Sequence, residues 1–140
     1  MPTKPLTSEI EKAIKCALEN CWSNKTGAWT SDNEKCHPSS NQCIQTALVI
    51  YENFDGEILR TTIPSIFGNE IDHFYNRIGG QRYDFTAAQF DRPEYSEGWA
   101  DHYKDILSNE KEAFETLNCP QFLEQMRLAF DREYKKSLSV

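Results

Sequence analysis

Apolar residues recur at three- and four-residue spacing near the start of the chain: Ile10, Ala13, Ile14, Ala17, Leu18, Cys21 and Trp22. That spacing is the stripe of an amphipathic helix. It begins beside Thr7 and Ser8, and Ser8 and Glu11 stand at capping-box separation. Cys16 falls off the stripe; Cys21 falls on it and reads as core. The pattern then breaks. Residues 23–42 are rich in Ser, Asn, Lys, Gly and Pro and are interrupted by Trp29, which predicts a loop of about twenty residues, a length that is uncommon in compact domains and often functional. A second helix is predicted from Cys43 to Phe54, capped by Ser40 or Asn41 and ended by Asp55-Gly56. Cys43, Ala47, Ile50, Tyr51 and Phe54 form one face of it, with Leu48 beside them.

Beyond Gly56 the period changes from helical to alternating. Strands are predicted over Glu57–Ile63, Ile71–Ile78 and Gln81–Ala87. Pro64 stops the first, and Gly79-Gly80 joins the other two as a tight hairpin. From Arg92 to Gly98 the chain reads as polar loop, and Trp99–Leu107 fits helix and strand equally. Ser108 or Asn109 caps a helix reaching Leu117. Pro120, well placed in a first turn, opens a last helix to Lys136 with Phe122, Met126, Ala129, Phe130 and Tyr134 as its stripe. The whole reads as one domain, 1–140, with residues 1–6 as a flexible lead-in.

Composition narrows the classes. In 140 residues, 39% are hydrophobic and 12% aromatic, enough for a core and against bulk disorder. The net charge of −7, with no basic block, argues against nucleic acid or an anionic membrane as partner. The longest apolar run, Ala47–Tyr51, is far short of the ~20 residues of a membrane span. Met1-Pro2-Thr3-Lys4-Pro5 leads into no apolar stretch, so no secretory signal is expected. Five cysteines (Cys16, Cys21, Cys36, Cys43 and Cys119) are an odd count with no CxxC pair. Free thiols in a reducing cytoplasm are therefore expected, with no cofactor. A homo-oligomer or a protein partner is left open.

One cysteine is distinctive. Cys43 falls in the first turn of a predicted helix, straight after a loop. Unsatisfied N–H groups and the partial positive charge there favour a thiolate, and the same N–H groups can stabilise an oxyanion on a substrate carbonyl. A nucleophilic thiol needs a base, and the base an orienting group. Only three histidines exist: His37 in the loop, His73 on a strand and His102 near the C-terminal helices.

Hairpin parity decides among them. An even-numbered loop around Gly79-Gly80 pairs residues so that Tyr75 faces Asp84 and His73 faces Thr86. His73, Tyr75, Asp84 and Thr86 then share one sheet face, with His73 and Asp84 as diagonal neighbours. An odd loop would put them on opposite faces. The chain thus permits Cys43, His73 and Asp84 as nucleophile, base and orienter. Against this, a strand histidine is commonly structural and an aspartate beside a hairpin commonly solvated. A zinc site from Cys36, His37, Cys43 and His73 is a rival use of the same atoms, although its Cys-x6-Cys spacing departs from the usual short-ligand pattern.

The segments Asn41-Gln42-Cys43-Ile44-Gln45-Thr46-Ala47-Leu48-Val49, Asp55-Gly56-Glu57-Ile58-Leu59, His73-Phe74-Tyr75-Asn76-Arg77-Ile78, Tyr83-Asp84-Phe85-Thr86 and Gln89-Phe90 together resemble the YunG family of small bacterial proteins. That family typically reads Gly-Gln-Cys at the helix start, His-Tyr-Trp-Asn in the first hairpin strand, and Asp-Leu-Thr with a following Gln-Phe. The likeness covers roughly residues 22–130, with Trp22 and Trp29 fitting its N-terminal pattern. Departures are Asn41 for Gly, which is mild because Asn tolerates positive φ, and Phe74-Tyr75 for Tyr-Trp.

More distantly, Gln-Cys at a helix start, His on a strand and Asp on the next is similar to the core of transglutaminase-like and papain-like proteins. That similarity implies an α+β domain with a central helix on a small antiparallel sheet of three or four strands and flanking terminal helices. It implies acyl transfer or hydrolysis through a thioester on Cys43, with His73 moving the proton, Asp84 fixing the imidazole, and a peptide or amide-bearing substrate. The Cys43 N–H, helped by Gln42, Trp22 or Trp29, would hold the oxyanion. The competing expectation is a binding or regulatory module that keeps the fold without turnover.

Overall fold

The computed structural model describes residues 4–95 and 98–138. The first helix, α1 (Ser8–Glu19), starts as its stripe predicts, but the capping side chain is Thr7, which accepts from the Ile10 N–H, rather than Ser8. Ala13, Ile14, Ala17 and Leu18 are buried and Cys16 is exposed. Residues 1–3 of the expected flexible lead-in lie outside the described residues. Residues 4–6 lie on the hairpin turn: the Leu6 N–H donates to the Tyr83 hydroxyl at 2.9 Å, and a Cβ added to Gly79 would fall 2.0 Å from the Lys4 carbonyl carbon.

The 23–42 segment is less irregular than its composition predicts. A short helix, α2 (Ser31–Lys35), forms inside it, closed by a reciprocal box in which Thr30 and Asn33 each cap the other's backbone. Asn33 then donates to the Ser40 and Pro38 carbonyls at 2.6 and 3.1 Å, so one buried amide ties the two halves of the segment together. α3 (Cys43–Phe54) follows with the predicted bounds. Asn41 takes the left-handed conformation (φ 64°) just before it, a conformation that Asn tolerates better than most residues. Neither Ser40 nor Asn41 is the cap: Gln42 holds that position without a side-chain bond. Instead of one apolar face, α3 buries every residue from Gln45 to Ile50, because it lies between the sheet and the last helices.

The sheet has four antiparallel strands in the order β3-β2-β1-β4: β1 (Glu57–Pro64), β2 (Glu70–Ile78), β3 (Gln81–Tyr83) and β4 (Ile106–Leu107). The β2–β3 loop is the two residues Gly79-Gly80, both at positive φ, as the tightest hairpins require. Asn76 pairs with Tyr83, Arg77 with Arg82 and Ile78 with Gln81, which is the predicted register. β3 stops at Tyr83, however, four residues before the expected end. The Asp84 carboxylate takes the Thr86 N–H at 3.3 Å, so the chain turns there into a 3-10 turn over Ala87–Phe90.

Phe74 and Ile78 on β2 face α3 in the main core, and Asn76 between them donates to the Ala47 carbonyl of α3 at 3.0 Å. His73 and Tyr75 face the other way, toward a smaller aromatic cluster built on Ile63, Phe90 and Trp99. Residues 99–107, readable as either helix or strand, resolve into a 3-10 turn at Trp99–Asp101 and β4. α4 (Glu110–Leu117) is capped by Asn109, whose side chain accepts from the Glu112 N–H at 2.8 Å. In α5 (Pro120–Leu138) the buried stripe is Leu123, Met126, Ala129 and Phe130, with Leu123 taking the place expected for Phe122. α5 packs on α1 and α3. The result is an α+β arrangement with a small antiparallel sheet on one side of α3 and helices on the other.

Candidate functional site

His73 is fully buried on β2. Its Nε2 lies 2.7 Å from Oδ2 of Asp84. The same oxygen accepts a hydrogen bond from the Tyr103 hydroxyl. Asp84 Oδ1 turns to the Thr86 N–H and hydroxyl at 3.3 and 3.4 Å. The carboxylate is thus held at both oxygens, and its side chain is only 6% exposed.

The other imidazole nitrogen, Nδ1, is buried and has no hydrogen-bond partner among the described residues. Cys43, at the first position of α3, is near enough to act on the ring. Burial pushes the His73 imidazole toward its neutral form; the charge and hydrogen bond of Asp84, joined by Cys43, outweigh it and raise the ring to about 10 from an ordinary 6.5. Cys43 itself is half-buried and lines a cavity of about 270 Å³ with Ile44, Ile71, Gln89, Phe90, Leu117 and Phe122 among its walls. Asp84 is thus bonded to His73, Cys43 is close enough to influence the ring, and Cys43 lines the cavity whereas His73 is fully buried.

The two other histidines lie elsewhere. His37 Nδ1 accepts from the Ser39 N–H at 3.1 Å and packs edge-on against Trp22; His102 is exposed. Among the described residues no three His, Cys, Asp or Glu side chains converge on a metal position, so Cys36, His37, Cys43 and His73 do not form the rival zinc set. All five cysteines are free thiols.

The side chains expected to help at an oxyanion are committed to other work. Gln42 is fully buried; its Oε1 accepts from the Thr26 hydroxyl at 2.8 Å and its Nε2 donates to the Ser23 carbonyl at 3.2 Å. Gln45 reaches the same loop, donating to the Thr26 and Asn41 carbonyls at 2.6 and 3.0 Å. These two amides clamp the 23–28 segment onto the start of α3. Gly27 leaves room for them: a Cβ there would stand 2.6 and 2.7 Å from the two amide nitrogens. Trp22 donates its indole N–H to Thr46 at 3.2 Å. Trp29 packs half-buried against the main core.

Two residues of the site were given no role by the sequence. Tyr103 comes from the stretch readable as helix or strand, and nothing local marks it. Burial and the Asp84 charge raise its phenol well above the usual tyrosine range, so it stays a donor. Arg82 lies over its ring at 4.2 Å while pairing with Asp105 at 2.6 Å, and Asp105 also accepts from the Tyr75 hydroxyl at 2.7 Å. Arg82 is thus a buttress rather than the solvated turn residue its position suggests. The second residue is Gln89, 7% exposed. Its Oε1 accepts from the Asn41 N–H at 3.4 Å, and its Nε2 is buried without a partner among the described residues.

A family model described as YunG protein matches residues 10–133. The protein named "Uncharacterized protein YunG" of Bacillus subtilis (strain 168) is 39% identical over 120 residues, covering 85% of this chain and 90% of that relative. No solved structure gives a significant match. No helix among the described residues is long and apolar enough to cross a membrane. The chain belongs to the YunG family.

Proposed function

We propose that this YunG family member is a cysteine-dependent acyl-transfer enzyme or hydrolase in which Cys43 is the nucleophile, His73 the base and Asp84 the group that orients the base. One observation carries the reading: His73 gives Nε2 to Asp84 at 2.7 Å and keeps Nδ1 unpaired beside a cysteine that lines a cavity. With Nε2–H donated to a carboxylate, Nδ1 is the nitrogen on the side where a thiol proton must go, and a ring raised to about 10 holds that proton at neutral pH. The order of a cysteine at a helix start, a strand histidine and an aspartate past a hairpin supports kinship of fold with transglutaminase-like and papain-like proteins.

The chemistry follows from the parts. The Cys43 proton passes to His73 Nδ1 before substrate arrives, giving a thiolate beside an imidazolium, and the sulfur then attacks the carbonyl carbon of an amide, ester or peptide. The imidazolium is stabilised by Asp84 in a site of low dielectric. Its proton goes to the leaving amine or alcohol as the C–N or C–O bond breaks, leaving a thioester on Cys43. Water or a second amine, deprotonated by His73, then releases the acyl group.

Acyl trapping tests this. The protein is incubated with p-nitrophenyl butyrate, quenched in acid and mapped by peptide mass spectrometry, beside Cys43→Ala and His73→Ala. Butyryl thioester on Cys43, lost in His73→Ala, is expected. Equal acylation of Cys16, Cys36 and Cys43, or none, would leave the binding-module alternative in its place.

A further inference from the structure

We propose that the cavity beside Cys43 is an acyl pocket for a short apolar acyl group, and that Gln89 Nε2 together with the Cys43 backbone N–H receives the substrate's carbonyl oxygen. The inference deepens the reading of Cys43 as nucleophile and rests on it.

Gln89 carries the argument. Buried amide donors in folded proteins are almost always paired, and an exception calls for an explanation. Among the described residues the amide is held by one end only: Oε1 takes the Asn41 N–H, while Nε2 has no partner. Gln89 lines the cavity that Cys43 opens into. Asn41 is two residues before Cys43 and sits at positive φ, so the bond from its N–H ties Gln89 to the start of α3. The N–H of Cys43, at the first helical position, is one of the donors that a helix leaves unsatisfied. Gln89 and Cys43 line the same cavity, and donors of this kind, turned to a carbonyl oxygen delivered to the sulfur, act on it as charge develops.

The rest of the lining names the acyl group. Ile44, Ile71, Phe90, Leu117 and Phe122 supply apolar walls from α3, β2, the 3-10 turn and the α4–α5 junction. Asp72 is exposed and on the lining, which disfavours an anionic chain. At about 270 Å³ the cavity falls just below the ~300–1,000 Å³ of small-molecule sites. That suits a short chain rather than a lipid tail.

Aldehydes test the pocket without turnover. Sulfur adds to the carbonyl carbon, the C=O π bond opens, and the oxygen takes the proton that Cys43 gave up, forming a reversible hemithioacetal. Acetaldehyde, propanal, butanal and succinic semialdehyde are compared by the concentration that halves iodoacetamide labelling of Cys43, read by peptide mapping. Protection should improve about fourfold per methylene from acetaldehyde to butanal. Succinic semialdehyde, as long as butanal but anionic, should protect about tenfold less well. In Gln89→Leu, butanal protection normalised to that variant's own iodoacetamide rate should weaken about tenfold. Gln89→Glu keeps an acceptor for Asn41 but loses the donor, and should weaken likewise if Gln89→Leu does not fold. Protection that ignores chain length, or that survives both substitutions, overturns this inference while leaving Cys43 as nucleophile. Labelling of Cys43 no faster than that of Cys16 overturns both.

Discussion

His73 and Asp84 meet at 2.7 Å although they are not a strand pair. β3 has already ended at Tyr83, and Asp84 reaches back to the imidazole from the turn that its own carboxylate makes with Thr86. The contact is therefore set by the hairpin register and by one local turn together. Replacing Asp84 with Asn removes the charge that opposes the desolvation of the ring. Labelling of Cys43 by iodoacetamide at pH 6.5 is expected to fall about tenfold or more in Asp84→Asn, measured by peptide mapping. An unchanged rate would remove Asp84 from the mechanism.

Stability should carry the same signature. The folded state raises His73 from 6.5 to about 10, through Asp84 and Cys43 against the opposing effect of burial. A raised folded value means that the contribution is fully present below pH 6.5 and is lost as pH rises toward 10. Urea unfolding of Cys43→Ala, which still has Asp84, should show stability falling across pH 7–10 by up to roughly 1.4 kcal/mol per pH unit. The slope should flatten when Asp84→Asn is added. A slope that is the same in both proteins would contradict the pairing.

Tyr103 donates to the oxygen of Asp84 that His73 also uses. Tyr103→Phe keeps the ring and its edge contacts with Tyr75 and Trp99, so the expected loss of stability is about 1–2 kcal/mol. The more telling readout is the pH profile of Cys43 labelling. Losing one donor to Asp84 should displace that profile relative to the parent protein, whereas a purely structural tyrosine would leave its midpoint in place.

Gly27→Ala should unclamp the loop. The added methyl would meet the amide ends of Gln42 and Gln45 and the Asn41 carbonyl, all within 2.8 Å, and each amide is already bonded to the loop. The expected cost is about 1–3 kcal/mol, seen as a lower midpoint in urea. Since the displaced groups adjoin the start of α3, Cys43 labelling should lose its selectivity as well. A midpoint equal to that of the parent would contradict the clamp.

Much of this is readable in the chain, and the boundary between what is and is not has a physical cause. Gly79-Gly80 specifies a two-residue turn, and a two-residue turn sets the register. The register follows, but the contact of His73 with Asp84 also needs the turn that Asp84 makes with Thr86 past the end of β3. Asn109 as a cap and the bounds of α3 are equally local. Where the sequence misleads, longer-range contacts decide. Asp84 ends β3 by bonding Thr86. Thr30 and Asn33 close a helix inside a segment whose composition reads as loop. Leu123 replaces Phe122 on the α5 stripe because α1 and α3 choose the buried side. Tyr103 reaches Asp84 from 19 residues away through an irregular segment, and Gln89 stands in the Gln-Phe pair of the resemblance with nothing local to say what it contacts. No periodicity records either contact.

The central claim is that Cys43 is activated by its surroundings, and its alkylation rate tests that most directly. Iodoacetamide labelling of the folded protein is followed by peptide mapping for all five cysteines at pH 6–7. Cys16 and Cys36 are exposed and set the rate of an accessible thiol. Cys21 is buried, and burial pushes its thiol up to about 12, so it sets the slow limit. Cys43, although half-buried, should react about tenfold faster than Cys16 and Cys36, and His73→Ala should abolish that advantage. A half-buried Cys43 that reacts no faster than Cys16 and Cys36, with no change in His73→Ala, would contradict the account.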